Sequence, residues 1–392
     1  MNDDALHGCR NAAVAESHAN LAAMIRRLLA FAVTLSVAAC ATPASHAPAT
    51  AATAATAPAA TPANAVLPIP PQPPERPLAP PALTDPSIPL AQRQDAFVDY
   101  TARSYGIDPG YVRGVLAQAQ LQQRIVDIMS RPAEAVRPWK DYRPIFLNDA
   151  RIDGGVAFYL ENRTALDRIA AATGVPAEYI VAIIGVETQF GRNMGSYRVL
   201  DALYTLAFFY PKRAPFFAGE LAQLFALQKA EPQLDILQLK GSYAGAMGMG
   251  QFMPSSYRLW AKDGDGDGRR DLLTHKPDVF ASIANYFVVH GWQRGQPVVA
   301  RAEKDPNLPE WTPATVEPLH TLAALEDRGY RVLRGEPRRD GATVINFEGA
   351  AGREHWLGYG NFYVITRYNR SPMYALAVHQ LAQAIRARAD GR

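Results

Sequence analysis

From about residue 92 onward, apolar residues recur at helical spacing in six segments, 95–105, 109–129, 155–173, 176–190, 201–209 and 214–229, and each is predicted to be a helix. A glycine-rich turn region follows at 241–250. A short helix starts at Pro254, and 278–290 is predicted to be a helix closed by Gly291. Beyond Gly295 the pattern shortens, so that 297–302, 330–333, 342–347 and 362–368 read as strands, with a small helix at 321–327 among them. A last helix covers 373–388. No internal repeat is present. The fold class this predicts is α+β, mainly α, with a small β-rich part.

One position breaks the pattern. Glu187 is the only acidic residue in the apolar run from Tyr179 to Phe190, and its helical face otherwise carries Ile180, Ile183, Ile184 and Phe190. A carboxyl group buried there has its charged form disfavoured by desolvation. Its place in the last turn, near the negative end of the helix dipole, acts in the same direction. Both effects suit a general acid. A structural ion pair with Arg192 or another cation is the competing reading.

The first quarter of the chain does not follow this pattern. Met24-Ile25-Arg26-Arg27 followed by an apolar run to Ala39 reads as a secretory signal that is too short to span a bilayer. Met24 makes a better signal start than Met1. Val37-Ala38-Ala39-Cys40 resembles the bacterial lipobox, in which Cys40 is lipidated after cleavage before it and becomes the mature N-terminus. Ala41 is not the aspartate that retains such lipoproteins at the inner membrane, so the expected address is the periplasmic face of the outer membrane. Cys9 and Cys40 are the only cysteines, and cleavage leaves one, so no structural disulfide is available. From Ala41 to Leu90, 35 of 50 residues are Ala, Pro or Thr, with no glycine. Such a segment is expected to be an extended tether, 40–91, reaching roughly 150 Å at about 3.1 Å per residue. The folded domain is then expected at 92–392. Net charge is only +3 with scattered basic residues, which excludes a nucleic-acid footprint.

Two further segments carry candidate chemistry. The run from Gly241 to Tyr257, GSYAGAMGMGQFMPSSY, lets backbone approach a ligand closely, and its Ser242 and Gln251 offer groups that can bond sugar hydroxyls. A tight packing turn is the plain alternative. Asp263, Asp265, Asp267 and Asp271 stand at the first, third, fifth and ninth positions of an EF-hand-like loop, with Gly268 at the sixth. The twelfth is Thr274 rather than glutamate, and Asp278 just beyond is a candidate replacement. A solvated Asp-Gly turn with Asp278 as helix cap remains the alternative.

GVETQFGR (Gly185 to Arg192), the glycine-rich run and NFYVITRYNRSPMYALAV (Asn361 to Val378) together resemble the signature blocks of the membrane-bound lytic murein transglycosylase B family, over roughly residues 92 to 390. The resemblance implies a lysozyme-like catalytic core with extra helices. It also implies cleavage of the β-1,4 bond between N-acetylmuramic acid and N-acetylglucosamine in peptidoglycan, with 1,6-anhydromuramoyl ends. Glu187 resembles the family's single acid/base, and Ser242 and Gln251 its hydrogen-bonding partners. Tyr142, Tyr286, Tyr368, Asn369 and Tyr374 fall on positions that line the sugar groove. Lys212 and Arg213 stand where the family often has two arginines near the stem peptide, and lysine there is a point charge rather than a fork. The longer Asp loop, 263–278, resembles the one that calcium-binding members carry, so structural calcium is expected and no cofactor for the chemistry. The expected partners are peptidoglycan strands and, through the lipid, the membrane, with no nucleic acid. A muramidase hydrolysing the same bond, or a non-catalytic peptidoglycan-binding scaffold, are the alternatives. Asp201 and Glu220 are nearby in sequence, but helical register alone does not place them in the groove.

Overall fold

Helices α7 (Ala177–Thr188), α8 (Val199–Phe209) and α9 (Ala214–Ala230) are buried on nearly every face, as their almost continuous apolar sequences require. In this computed structural model residues 78–130 and 137–391 are described. Around the three central helices lie α1 (Leu90–Tyr105), α2 (Pro109–Leu116), α3 (Gln123–Ser130), α4 (Trp139–Phe146), α5 (Asp149–Glu161) and α6 (Arg163–Thr173). On the C-terminal side come α10 (Pro254–Trp260), α11 (Lys276–Val289), α12 (Leu322–Glu326), α13 (Gly360–Tyr368) and α14 (Pro372–Asp390). Helix α14 packs along α7 and α5, and α8 packs along α9.

The sheets are small. β1 (Tyr197–Arg198) pairs with β2 (Lys240–Gly241). The larger antiparallel sheet contains β3 (Val299–Lys304), β4 (Tyr330–Val332), β5 (Thr343–Gly349) and β6 (Gly352–Gly358) in the order β4-β3-β6-β5. Its own core of Ala300, Leu325, Tyr330, Val344, Leu357 and Tyr359 is separate from the helical one. The α+β, mainly helical expectation is therefore met, and among the described residues no single helix is long and apolar enough to cross a membrane.

Several boundaries differ from the sequence reading. Residues 78–91, assigned to the tether by composition, pack on the domain: Ala79 and Leu83 are buried, and the Ala79 amide donates to the Pro215 carbonyl at 3.1 Å. The signal region, Cys40 and the tether up to residue 77 lie outside the described residues. The helix expected over 109–129 is two helices. The stretch between them gives its Gln120 and Gln122 amides to Asp201 Oδ1 (2.8 Å) and Thr205 Oγ1 (2.9 Å) on α8 instead of to its own turn. The helix expected over 155–173 breaks at Asn162, whose side chain donates to the Phe158 carbonyl at 2.8 Å. The segment 362–368, expected as a strand, is helix α13. Its β-branched and aromatic residues favour a strand locally, but Asn361 through Thr366 are all buried and the Asn361 side chain bonds the Gln293 and Gln296 carbonyls, so tertiary packing overrides propensity. Helix α4 and strand β6 had no counterpart in the pattern.

Candidate active site

Helix α7 ends abruptly. Gln189 (φ 53°), Phe190 (φ 62°) and Gly191 (φ 83°) are left-handed in succession, so the chain doubles back and Phe190 returns over the helix. A Cβ on Gly185 would lie 2.7 Å from the Phe190 ring, which is why that turn needs glycine there. The only other non-glycine residue with positive φ among the described residues is Gln251, in the glycine-rich loop. All three of these strained positions flank one place, as strain at working sites commonly does.

Glu187 lies at that place. Of the residues of α7, only Glu178 in the first turn and Glu187 in the last are not buried, so the carboxylate is half-exposed, where the sequence had suggested full burial. The hydroxyl of Tyr374, a side chain only 3% exposed in the first turn of α14, donates to Glu187 Oε1 at 2.8 Å. Such a donor fixes the orientation of the carboxylate. The α7 terminus is braced from two sides. Buried Arg151 of α5 donates to the Gly185 carbonyl, placing a cation at the negative end of the helix. Thr188 Oγ1 donates to the Met249 carbonyl at 2.9 Å and accepts the Gly191 amide at 3.0 Å.

The glycine-rich run is thereby stitched to the catalytic helix. Gly195 (φ 94°) faces the backbone of Gly241, and a Cβ on it would lie 2.1 Å from that carbonyl oxygen. Ser242 is buried, and its hydroxyl accepts the Ala246 amide at 3.0 Å, so it closes the loop on itself. Gln251 Nε2 donates to the Met194 and Gly248 carbonyls at 3.2 and 3.0 Å, leaving its carbonyl oxygen as the group it can offer a ligand. Buried Glu220 holds the start of α10, accepting the Ser255 amide and hydroxyl at 2.9 and 2.6 Å.

The tyrosines separate into two kinds. Tyr368 is half-buried and its hydroxyl donates to the Gly250 carbonyl at 2.6 Å; Asn369 accepts the Ser371 amide at 3.1 Å and so helps start α14 with Tyr374 in place. Tyr286 is 3% exposed, bonds the Arg367 carbonyl and packs at 4.7 Å from the Tyr368 ring, so it supports the site from behind and does not line a groove. Tyr142 is 1% exposed between Trp139 and Phe146, which is a core position and again not the expected lining. Lys212 is exposed on the turn between α8 and α9, while the Arg213 guanidinium lies 4.6 Å over the Phe216 ring. Arg151 and Thr188 escaped the sequence reading, because neither residue type in a helix signals a contact with a distant backbone carbonyl.

In the Asp loop, Asp263, Asp265 and Asp267 bring carboxylate oxygens within 4.8 Å of one another, and Asp265 does so separately with His275 and Asp278. Backbone amides of Gly268 and Gly266 hold the Asp263 carboxyl below its ordinary range, and burial pushes fully buried Asp278 up. Asp271 departs from expectation. It caps the turn at Leu273 and Thr274 and is outside both clusters. His275, 2.9 Å from Asp265 Oδ2, was not anticipated.

A family model described as the transglycosylase SLT domain matches residues 90–383. Membrane-bound lytic murein transglycosylase B of Escherichia coli (strain K12) is 40% identical over 299 residues, 74% of this chain and 81% of that protein. The soluble lytic transglycosylase SltB1 of Pseudomonas aeruginosa matches at a TM-score of 0.71 and 50% identity, over 76% of this chain and 100% of its own. The E. coli lytic transglycosylase Slt35, solved in complex with calcium, matches at 0.69 and 38%, over 76% and 93%. SltB3 of P. aeruginosa, solved in complex with NAG-anhNAM-pentapeptide, matches at 0.66 and 30%, over 76% and 79%.

Proposed function

The chain belongs to the transglycosylase SLT domain family and is a lytic transglycosylase that degrades peptidoglycan, and from that premise we propose that Glu187 is its one general acid and base. The observation that carries the proposal is the half-exposed Glu187 carboxylate held at 2.8 Å by the Tyr374 hydroxyl, at the only break in an otherwise buried helix end.

The protonated carboxyl gives its proton to the glycosidic oxygen between N-acetylmuramic acid and N-acetylglucosamine, and the bond to C1 breaks. The resulting carboxylate takes the proton from the muramoyl C6 hydroxyl as that oxygen closes on C1, giving a 1,6-anhydro end and regenerating the acid. Being on the same ring, the C6 hydroxyl has the advantage of an intramolecular nucleophile over water. A hydrolase would need a second carboxylate across the bond, typically about 5–9.5 Å from the first. The two candidate acids, Asp201 and Glu220, are committed elsewhere: Asp201 to Arg198 (2.6 Å) and the Gln120 amide, and Glu220 to Ser255. This favours the lyase over the muramidase. We assign Gln251, Tyr368 and Asn369 to positioning the sugars, with Ser242 shaping the loop that carries Gln251.

Asp263, Asp265, Asp267 and Asp278 supply oxygens of the kind a hard cation prefers, and we read the loop as a structural calcium site; the relative Slt35 was solved in complex with calcium. Calcium there holds the turn before α11 and takes no part in the chemistry. We further infer that Cys40 is lipidated and tethers the enzyme to the outer membrane on its periplasmic side, in keeping with the membrane-bound E. coli relative.

Glu187→Gln tests the assignment. Purified protein carrying it should bind glycan strands with little change and lose turnover by at least about 100- to 10,000-fold. Wild-type fragments should end in 1,6-anhydro-N-acetylmuramic acid by mass spectrometry. Mainly reducible ends carrying oxygen from labelled water would establish a muramidase instead.

A further inference from the structure

Six residues beyond Tyr374 on α14, about 9 Å along the helix axis, Gln380 borders a cavity of about 360 Å³ between α4, α14 and the β3–β6 face. Its walls are Trp139, Lys140, Arg143, Arg301, Glu354 and Trp356. Nothing in the catalytic assignment uses it. Two of its acceptors are already engaged. Glu354 Oε2 accepts from Arg301 at 3.0 Å and from the Trp356 indole at 3.2 Å, and Gln380 Oε1 accepts from Arg143 Nε at 2.7 Å. Lys140 is paired with Glu348 just beyond. The donors are not all matched. The terminal nitrogens of Arg143 have no partner among the described residues, and the indole N–H of Trp139, a side chain 1% exposed, is buried without one.

Lys140 is offset by Glu348 and Arg301 by Glu354, so Arg143 is the wall cation without a carboxylate partner among the described residues; such a cation favours an anion, and its guanidinium fork suits a planar carboxylate. The tryptophans are rigidly held, Trp139 stacked on Phe347 at 5.3 Å and Trp356 under the Arg301 guanidinium at 4.6 Å, so they form apolar walls for the aliphatic part of such a ligand. Glycan strands offer hydroxyls and amides, whereas the peptides attached to them end in carboxylates. The saccharide bound to SltB3 carries a pentapeptide of this kind.

We propose that this cavity is an accessory subsite that binds a carboxylate of a peptidoglycan stem peptide, an inference that rests on the peptidoglycan reading and extends it. The whole protein is titrated calorimetrically with a synthetic stem pentapeptide and with the same peptide fully amidated. Amidation, or Arg143→Ala in the protein, should each weaken binding by about tenfold or more, as loss of a charged hydrogen bond does. Arg143 is exposed and remote from Glu187 in its contacts, so its replacement should leave the fold intact. In turnover, the variant should show a KM about tenfold higher on stem-bearing strands and unchanged kinetics on strands stripped of peptide. Equal binding of acid and amide, equal binding by variant and wild type, or an equal loss on both kinds of strand overturns the subsite. Failure of the wild type to cleave either strand would refute the lytic reading, while the peptide titration still decides the cavity.

Discussion

Helices α7 and α14 carry Glu187 and Tyr374, and a half-buried histidine joins them. The Tyr179 hydroxyl meets His379 Nδ1 at 2.7 Å, and burial pushes the imidazole down to about 4. In the folded protein the ring is therefore neutral at pH 7, with Nδ1 accepting from the tyrosine. An unfolded histidine titrates near 6.5. Because the folded value is depressed, the unfolded chain takes up the proton first. The neutral ring's contribution is fully present above about pH 6.5 and is lost as pH falls from there toward about 4. A gap of this size corresponds to about 3 kcal/mol. Part of the side chain reaches the surface, so about 1–3 kcal/mol is the figure to test. His379→Asn places an amide oxygen near the Nδ1 position, keeps an acceptor for Tyr179 and cannot be protonated. Urea denaturation of both proteins at several pH values between 4 and 7.5 measures the difference. The wild type should lose about 1–3 kcal/mol more than the variant across that window, and its activity should decline in parallel as the helix pair loosens. His320 and His355 are also lowered by burial and contribute to both proteins alike, so only the difference is diagnostic. Identical pH dependence in the two proteins would refute the account.

Three other outcomes follow from the structure. Thr188→Val removes the link from α7 to the Met249 carbonyl and the Gly191 amide, and should lower stability by about 1–3 kcal/mol with a fall in kcat, read by thermal melting and turnover; an unaltered kcat would show that the loop does not depend on this link. Calcium should raise the melting temperature of the wild type, and Asp263→Ala with Asp267→Ala should abolish the rise, whereas identical melting in calcium and chelator would make the loop an ordinary turn. Cys40→Ser should leave intrinsic turnover intact and abolish incorporation of radiolabelled fatty acid; equal labelling of both proteins would exclude Cys40 as the acceptor.

How much was legible before any coordinates depends on the range of the forces involved. The apolar pattern identified α7, α8 and α9 because a helix that buries most of its surface must carry an almost unbroken apolar sequence, and Glu187 was conspicuous as the exception to that rule. The Asp-Gly spacing likewise announced the cluster of Asp263, Asp265 and Asp267, since a short loop brings alternate residues together locally. Tertiary structure decided the rest. Whether a tyrosine lines the site or supports it depends on what packs over it, so Tyr142 and Tyr286 are in the core while Tyr374 reaches Glu187 across 187 residues of chain. The same holds for 362–368, where burial on all sides made a helix of strand-forming residues, and for Arg151 and Thr188, whose partners are backbone carbonyls brought near only by folding. The sequence alone determined which residue types could do acid–base chemistry and which segments could bury a core; the packing of α14 against α7 determined where the proton donor points, because a hydrogen bond between distant residues exists only once the intervening chain has folded.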